Sequence, residues 1–302
     1  MRTLSKRQSA LLVAFLVVVW GANWPLTKFA ISFMPPILLS GVRTMLGGLL
    51  LLAVAIPRAD RLRFKETYPI YLVSAVVNVV FYYGFQTVGL SRLPSGLFAA
   101  IVFLQPVFVG IFASIWLGES MHRGKRAGLF LGFAGVGVIM GGSGGLSGHI
   151  SGSGVALAVC TALSWALGTV YVKKYGPRVD PIWLVGLQLS IGGGVMTAAG
   201  SGVERWSDVV WDPSFVATLL FISVFVIALG WLAFYKLIES GEAGTVASYT
   251  FLIPVAAVAM GTVFLHEPFT LSLLAGLLLI AGGIALVNRK APGARAKPES
   301  SG

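Results

Sequence analysis

Residues 141–154 read GGSGGLSGHISGSG. The stretch holds no Lys, Arg, Asp or Glu and no apolar run, so it reads as a flexible Gly/Ser linker. On both sides of it the chain is strongly apolar. Hydrophobic residues make up 56% of the 302 and charged residues 11%. A soluble domain carries charge on about a quarter of its residues, so most of this surface is built to meet lipid. The mean hydropathy of +0.87 agrees. The single cysteine, Cys160, lies in an apolar run and has no partner for an intrachain disulfide.

Crossing a bilayer takes roughly 20 apolar residues per helix. That length predicts five spans before the linker, near 8–28, 36–56, 68–89, 94–116 and 124–141. Five more follow it, near 153–172, 181–200, 214–236, 244–265 and 271–287. The fold expected is all-α and membrane-embedded, with ten transmembrane helices. The N-terminal Arg2, Lys6 and Arg7 precede an apolar run as in a signal peptide. That run continues through Ala22 to Ile31 without a small-x-small site, so it reads as the first span.

The net charge of +11 is a topology signal. With the N-terminus in the cytoplasm, the cytoplasmic side holds Arg2, Lys6, Arg7, Arg58, Arg61, Arg63, Lys65, Arg123, Lys125 and Arg126. It also holds Lys173, Lys174, Arg178, Lys236, Arg289, Lys290, Arg295 and Lys297. The opposite side keeps Lys28, Arg92 and Arg205, and Arg43 falls within a span. This alternation is the positive-inside rule, so no nucleic-acid partner is expected. Both termini are placed in the cytoplasm, and residues 291–302 read as a disordered tail.

The chain repeats across the linker. A shift of 145 lays Trp20 on Trp165, Lys28 on Lys173, Pro36 on Pro181, and Gly47-Gly48 on Gly192-Gly193. Later a shift of 148 lays Gly96 on Gly244, Leu104 on Leu252, Pro106 on Pro254, Leu117 on Leu265, Glu119 on Glu267, and Gly128 on Gly276. The domains are therefore residues 1–145 and 146–290. Five spans is an odd number, so the second unit enters the membrane from the opposite face. Two inverted five-helix repeats around a central cavity are an architecture of secondary transporters, whose halves exchange which side is open.

Several features resemble the drug/metabolite transporter superfamily, EamA type. They are Trp20-Gly21-Ala22-Asn23, Arg43 after Pro36, Pro106, and Leu117-Gly118-Glu119 echoed by Leu265-His266-Glu267. The resemblance covers residues 8–290 and is nearest the bacterial amino-acid exporters, the aromatic amino-acid type among them. It implies the bacterial inner membrane, a cavity between the halves, and export of small metabolites, amino acids first. Multidrug or other metabolite efflux on the same fold is the alternative. The chain departs from a symmetric pattern at Gln188, where Arg43 has no basic counterpart.

Polar groups facing lipid are costly, so polar stripes on spans mark the interior. Trp20, Asn23, Trp24 and Thr27 share one helical face. So do Asn78, Tyr82 and Gln86, and likewise Thr161, Trp165 and Thr169. Trp231 with Tyr235, and Thr245, Ser248 and Tyr249, extend the set. The expected substrate-binding residues are Trp20, Asn23, Trp24, Asn78, Tyr82, Gln86, Trp165, Thr169 and Tyr249. Aromatic walls with a few amides and hydroxyls suit a small amphiphilic solute. Pro106 and Pro254 are placed as hinges, since each removes a helical hydrogen bond.

Arg43 reads either as a contact to an anionic substrate group or as a snorkelled or carbonyl-bonded clamp; the clamp is the expectation. No Asp or Glu lies mid-span, which argues against a pump for organic cations. His122, His149 and His266 sit in different loops, and no nucleophile, nucleotide or metal motif occurs. No catalytic residue, metal or cofactor is expected. The partners are a small-molecule substrate and membrane lipid. Gly124, Gly128 and Gly132 form a small-residue face that suits either packing within the chain or a homodimer.

Overall fold

The computed structural model describes residues 5–118, 123–142, 151–239 and 252–288. Among these there is no strand. The helices are α1 (Lys6–Ile31), α2 (Pro36–Ala55), α3 (Phe64–Ala75), α4 (Tyr82–Leu90), α5 (Ser95–Val102), α6 (Gln105–Leu117) and α7 (Arg123–Gly142). After the linker come α8 (Gly152–Tyr175), α9 (Pro181–Val203), α10 (Pro213–Phe221), α11 (Gly230–Glu239), α12 (Leu252–Leu265) and α13 (Leu271–Asn288). Seven helical stretches among the described residues are long and apolar enough to cross a membrane. They are Arg7–Ile31, Pro36–Arg61, Phe64–Leu90, Ser95–Leu117, Gly152–Arg178, Pro181–Val203 and Pro213–Phe234. Val255–Leu265 and Leu271–Gly283 are shorter apolar helices.

Local sequence explains the helix starts. Ser5 accepts from the Gln8 amide while the Gln8 side chain accepts from the Ser5 amide, a reciprocal cap on α1. Asp180 caps α9 ahead of Pro181, and Asp212 caps α10 ahead of Pro213. Proline at the first position lacks an N–H that would have no helical partner anyway. The Ser214 hydroxyl and amide hold the Asp212 carboxyl below the usual carboxylate range.

Two helices are interrupted by π turns at related places. Val76–Phe81 joins α3 to α4, and Ile222–Leu229 joins α10 to α11. The span that opens with Ser95 is broken outright at Phe103–Leu104. Pro106 stands in the first turn of α6, just past that break. The interruption expected at Pro106 thus falls two to three residues ahead of it, because proline is accommodated best where a helix begins. Pro254 lies in the first described turn of α12; residues 240–251 before it are outside the described set.

The broadest contacts are α2 on α9 and α7 on α13. Along the first interface, Gly41 meets Thr197, Gly48 meets Ser190, and Gly186 meets Leu52. Partner numbers fall as those of α2 rise, so the two helices run antiparallel. The second interface does the same: Gly128 faces Gly283 and Gly135 faces Gly276. Without a hydrophobic drive between helices in lipid, such close backbone approach supplies the packing energy. The glycine face expected on α7 is therefore occupied within the chain, Gly128 and Gly132 both lying against Gly283. A homodimer through that face would have to displace α13.

The remaining contacts interleave the helices before and after the linker. α1 packs on α12 and on α11, while α8 packs on α4, α5 and α6. Every residue of α5 is buried, which makes it the centre of the bundle. Large apolar side chains such as Leu49, Ile115, Phe130, Leu220 and Leu278 are exposed on the outside, where lipid would solvate them.

Candidate functional site

At the centre, Trp20, Asn23, Trp24, Tyr82, Tyr83, Phe103, Trp165, Val226, Trp231 and Ile253 enclose a cavity of about 30 Å³. That is room for one or two waters and no more. The wall is built largely from aromatic edges. Trp20 meets Trp165 edge to face with centroids 6.4 Å apart, and meets Trp231 at 5.7 Å. Tyr82 lies 5.5 Å from Trp165, and Phe103 lies 6.0 Å from it. The Trp20 indole N–H donates to the Val226 carbonyl at 3.2 Å. Val226 belongs to the π turn of Ile222–Leu229, where the widened helix leaves a carbonyl available to a side chain. Trp231 donates from its indole to the Tyr83 hydroxyl at 3.1 Å.

A second layer of polar side chains stands behind this wall, organised by Arg43. Arg43 is completely buried. Its Nη1 donates to Thr27 Oγ1 and its Nη2 to Gln86 Oε1, both at 2.6 Å. Its guanidinium carbon lies 5.1 Å from the Tyr83 ring centre, and its Nε has no hydrogen-bond partner among the described residues. The Thr27 hydroxyl donates to Asn23 Oδ1 (3.3 Å), and Gln86 Nε2 donates to the Tyr82 hydroxyl at a long 3.5 Å. Arg61 pairs with Asp180 at 3.6 Å, whereas the contacts of Arg43 include no carboxylate among the described residues. Arg43 is therefore a buried cation whose partners are a hydroxyl, an amide oxygen and a ring. It neither snorkels nor bonds a backbone carbonyl, because Thr27 and Gln86 supply acceptors inside the bundle.

Of the residues the sequence singles out, Trp20, Asn23, Trp24, Tyr82 and Trp165 meet at the cavity. Gln86 stands behind it, bonded to Arg43. Thr169 accepts from Gln105 Nε2 at 3.3 Å and donates to the Trp165 carbonyl, which places it beside the wall. Asn78 turns away, toward Gln188 Oε1 at 3.4 Å and the flat surface of Gly168. Tyr249, with Thr245 and Ser248, lies outside the described residues, as do Glu119, His122 and His149. Tyr83 and Phe103 line the cavity without having been expected there. Tyr83 is the second residue after the π turn, and Phe103 sits in the helix break; a proline at 106 is a signal that the chain unwinds just before it.

At one end of the bundle, two carboxylates cross from residues after the linker to helix N-termini before it. Glu267 accepts from the Ser95 amide (2.6 Å), the Ser95 hydroxyl (2.8 Å) and the Gly96 amide (3.1 Å). Glu204 accepts from the amides of Ile37 (3.0 Å) and Leu38 (2.7 Å). Lys28 reaches the carbonyls of Leu90 and Leu93 beside the first of these. At the opposite end, Trp183 donates to the Arg58 carbonyl at 2.9 Å.

A cavity walled by helices from before and after the linker, inside a bundle with an apolar exterior, is the arrangement of a multi-span membrane protein with a central site. The chain belongs to the EamA-like transporter family of the drug/metabolite transporter superfamily, whose model matches it twice, over residues 8–141 and 152–289. It is 58% identical to the uncharacterized transporter YvbV of Bacillus subtilis, over 98% of this chain and 96% of that one. It is 27% identical to a probable amino-acid metabolite efflux pump of Salmonella typhimurium, over 92% of this chain and 94% of that protein. A crystal structure with 20% sequence identity superposes with a TM-score of 0.67, covering 93% of this chain and 96% of the other. At that identity the likeness bears on the fold alone.

Proposed function

We propose that the protein is an inner-membrane secondary transporter that exports small metabolites, amino acids first, by alternating access. The observation that carries this is the edge contact between Trp20 and Trp165 across the cavity. These are equivalent positions of the two repeats, so each half contributes the same wall residue to one chamber. A chamber of about 30 Å³ cannot hold an amino acid as it stands, so loading requires the halves to part on one side.

The reading includes ten spans, in two five-helix units over residues 1–145 and 146–290. Three observations support an inverted relation. The family model matches the chain twice. The equivalent helices α2 and α9 pack antiparallel, as do α7 and α13. Contacts also survive exchange of the halves: α1 with α12 corresponds to α8 with α5 and α6, and α4 with α8 corresponds to α11 with α1. The basic loops support a cytoplasmic side for both termini and for residues 291–302. On that topology Glu204 and Glu267 cap their helices on the outer side, where they hold the chamber shut.

Amino acids are supported by the amide-and-hydroxyl inner layer and by the relatives named as amino-acid metabolite efflux pumps. The test is flux of labelled amino acids through purified protein in liposomes, with and without a pH gradient. Saturable flux of amino acids is the expected result. Movement of lipophilic drugs in their place would transfer the protein to the multidrug alternative.

A further inference from the structure

Resting on that reading of the central cavity as the transport site, we propose that the site recognises a carboxylate and has no need of an ammonium group. It would then carry small aromatic or branched monocarboxylates, amino acids and non-amino acids alike, and refuse the matching amines.

The direction of the hydrogen bonds carries this. Arginine donates and never accepts, so every chain that begins at Arg43 has a fixed sense. One runs from Nη1 to Thr27 Oγ1 and on from the Thr27 hydroxyl to Asn23 Oδ1. The oxygen of Asn23 is thereby engaged, and its amide N–H groups remain for the cavity. The other runs from Nη2 to Gln86 Oε1 and on from Gln86 Nε2 to the Tyr82 hydroxyl oxygen. Tyr82 receives that bond and has its own O–H to give. Tyr83 likewise receives from Trp231 and has its O–H to give. Asn23, Tyr82 and Tyr83 all line the same cavity. The network leaves three donors free for the cavity and already engages each of the nearest acceptor oxygens once.

Charge points the same way. Arg43 is fully buried with neutral partners and an Nε unpartnered among the described residues. A buried cation without a counter-ion is poorly compensated, and an anion entering the adjacent chamber supplies the missing charge. Among the described residues no Asp or Glu lines the chamber, so an ammonium group would meet donors and a like charge there. The Trp20, Trp165 and Phe103 edges then take the apolar part of the solute.

Counterflow in proteoliposomes with three solutes of one skeleton tests this: L-phenylalanine, 3-phenylpropionate and phenethylamine. Wild type should move the first two and fail to move the amine. Gln86→Glu is the decisive variant. It preserves shape and gives Arg43 a carboxylate partner, so the fold is retained, as a melting curve will verify. It also neutralises the cation and ends the donation to Tyr82. Its KM for both carboxylates should rise about tenfold or more, the scale of one lost charge interaction at this dielectric. Arg43→Lys, which keeps the charge, should lie between the two. If Gln86→Glu leaves the KM unchanged, or wild type moves phenethylamine as readily as phenylpropionate, the carboxylate proposal is wrong while amino-acid transport stands. If phenylpropionate moves and phenylalanine does not, the proposal stands and the amino-acid reading falls. Failure of all three to move or compete overturns both.

Discussion

Gly48 of α2 and Gly193 of α9 occupy equivalent places on the two faces of one antiparallel interface. A Cβ on Gly48 would come within 2.5 Å of the Ser190 amide nitrogen, and a Cβ on Gly193 within 2.5 Å of the Met45 amide nitrogen. Met45 and Ser190 are themselves related by the same shift of 145 residues. The contact is thus made twice, once in each direction, about a local two-fold axis.

Because the obstacle at both glycines is backbone, it cannot rotate aside. Gly48→Ala and Gly193→Ala should each destabilise the protein, by about 1–3 kcal/mol as overpacking does, and by similar amounts. Melting in detergent measures this. Gly194→Ala is the control, since nothing lies within 4 Å of a Cβ there, and its melting temperature should equal or exceed that of wild type. Unequal losses at 48 and 193 would contradict the two-fold relation.

A second equivalent pair closes helices. Gly118 after α6 has φ +68°, and His266 after α12 has φ +53°. The left-handed region suits glycine and costs an L-residue roughly 1 kcal/mol or more. His266→Gly should therefore stabilise the fold by a few tenths to about 1 kcal/mol, offset in part by glycine's greater freedom when unfolded. Gly118→Ala should cost about 1 kcal/mol. Melting temperature reads both, and transport by His266→Gly should be unchanged.

The two crossing carboxylates make separable contributions. Glu267→Ala removes three hydrogen bonds at the start of α5, and Glu204→Ala removes two at the start of α2. Bonds to a charged partner contribute about 1.5–3 kcal/mol, so each variant should melt lower, with Glu267→Ala the more severe. On the proposed topology both also loosen the outer side. A cysteine placed at Ser95 in the Glu267→Ala background should react faster with a membrane-impermeant thiol reagent than in wild type. Equal reactivity would remove Glu267 from the closure.

The aromatic pair at 20 and 165 is legible in the sequence because each member belongs to a polar-aromatic stripe of fixed helical spacing. Trp20, Asn23 and Trp24 lie one helical turn apart on α1, and that helix is regular through them. The face predicted for Asn78, Tyr82 and Gln86 fails at its first member for a physical reason. Asn78 lies inside the π turn at Val76–Phe81, where the backbone departs from the regular α-helical register that the sequence pattern assumes. Asn78 swings to Gln188, and Tyr83 comes round to the cavity in its stead. Phe103 is hidden in the same way, by a break that periodicity cannot register. The donor sense of the Arg43 network is a tertiary property: Thr27, Arg43 and Gln86 come from three helices, and no spacing joins them.

Truncating the two equivalent tryptophans should give different phenotypes. Trp165 touches Trp20, Tyr82 and Phe103 through ring contacts at 5.5–6.4 Å, so Trp165→Ala removes the apolar seat for a solute. Its expected effect is a loss of transport of about tenfold or more, with membrane insertion and fold retained. Trp20→Ala also strands the Val226 carbonyl that its indole N–H satisfies, and an unpaired buried acceptor costs about 1–3 kcal/mol. That variant should lose stability as well as transport. Trp20→Phe separates the effects, since it keeps a ring and loses the bond; it should melt between wild type and Trp20→Ala while recovering part of the flux. Flux in proteoliposomes set against melting temperature for the three variants decides the matter. A Trp165→Ala protein that transports at the wild-type rate would remove this wall from the substrate path.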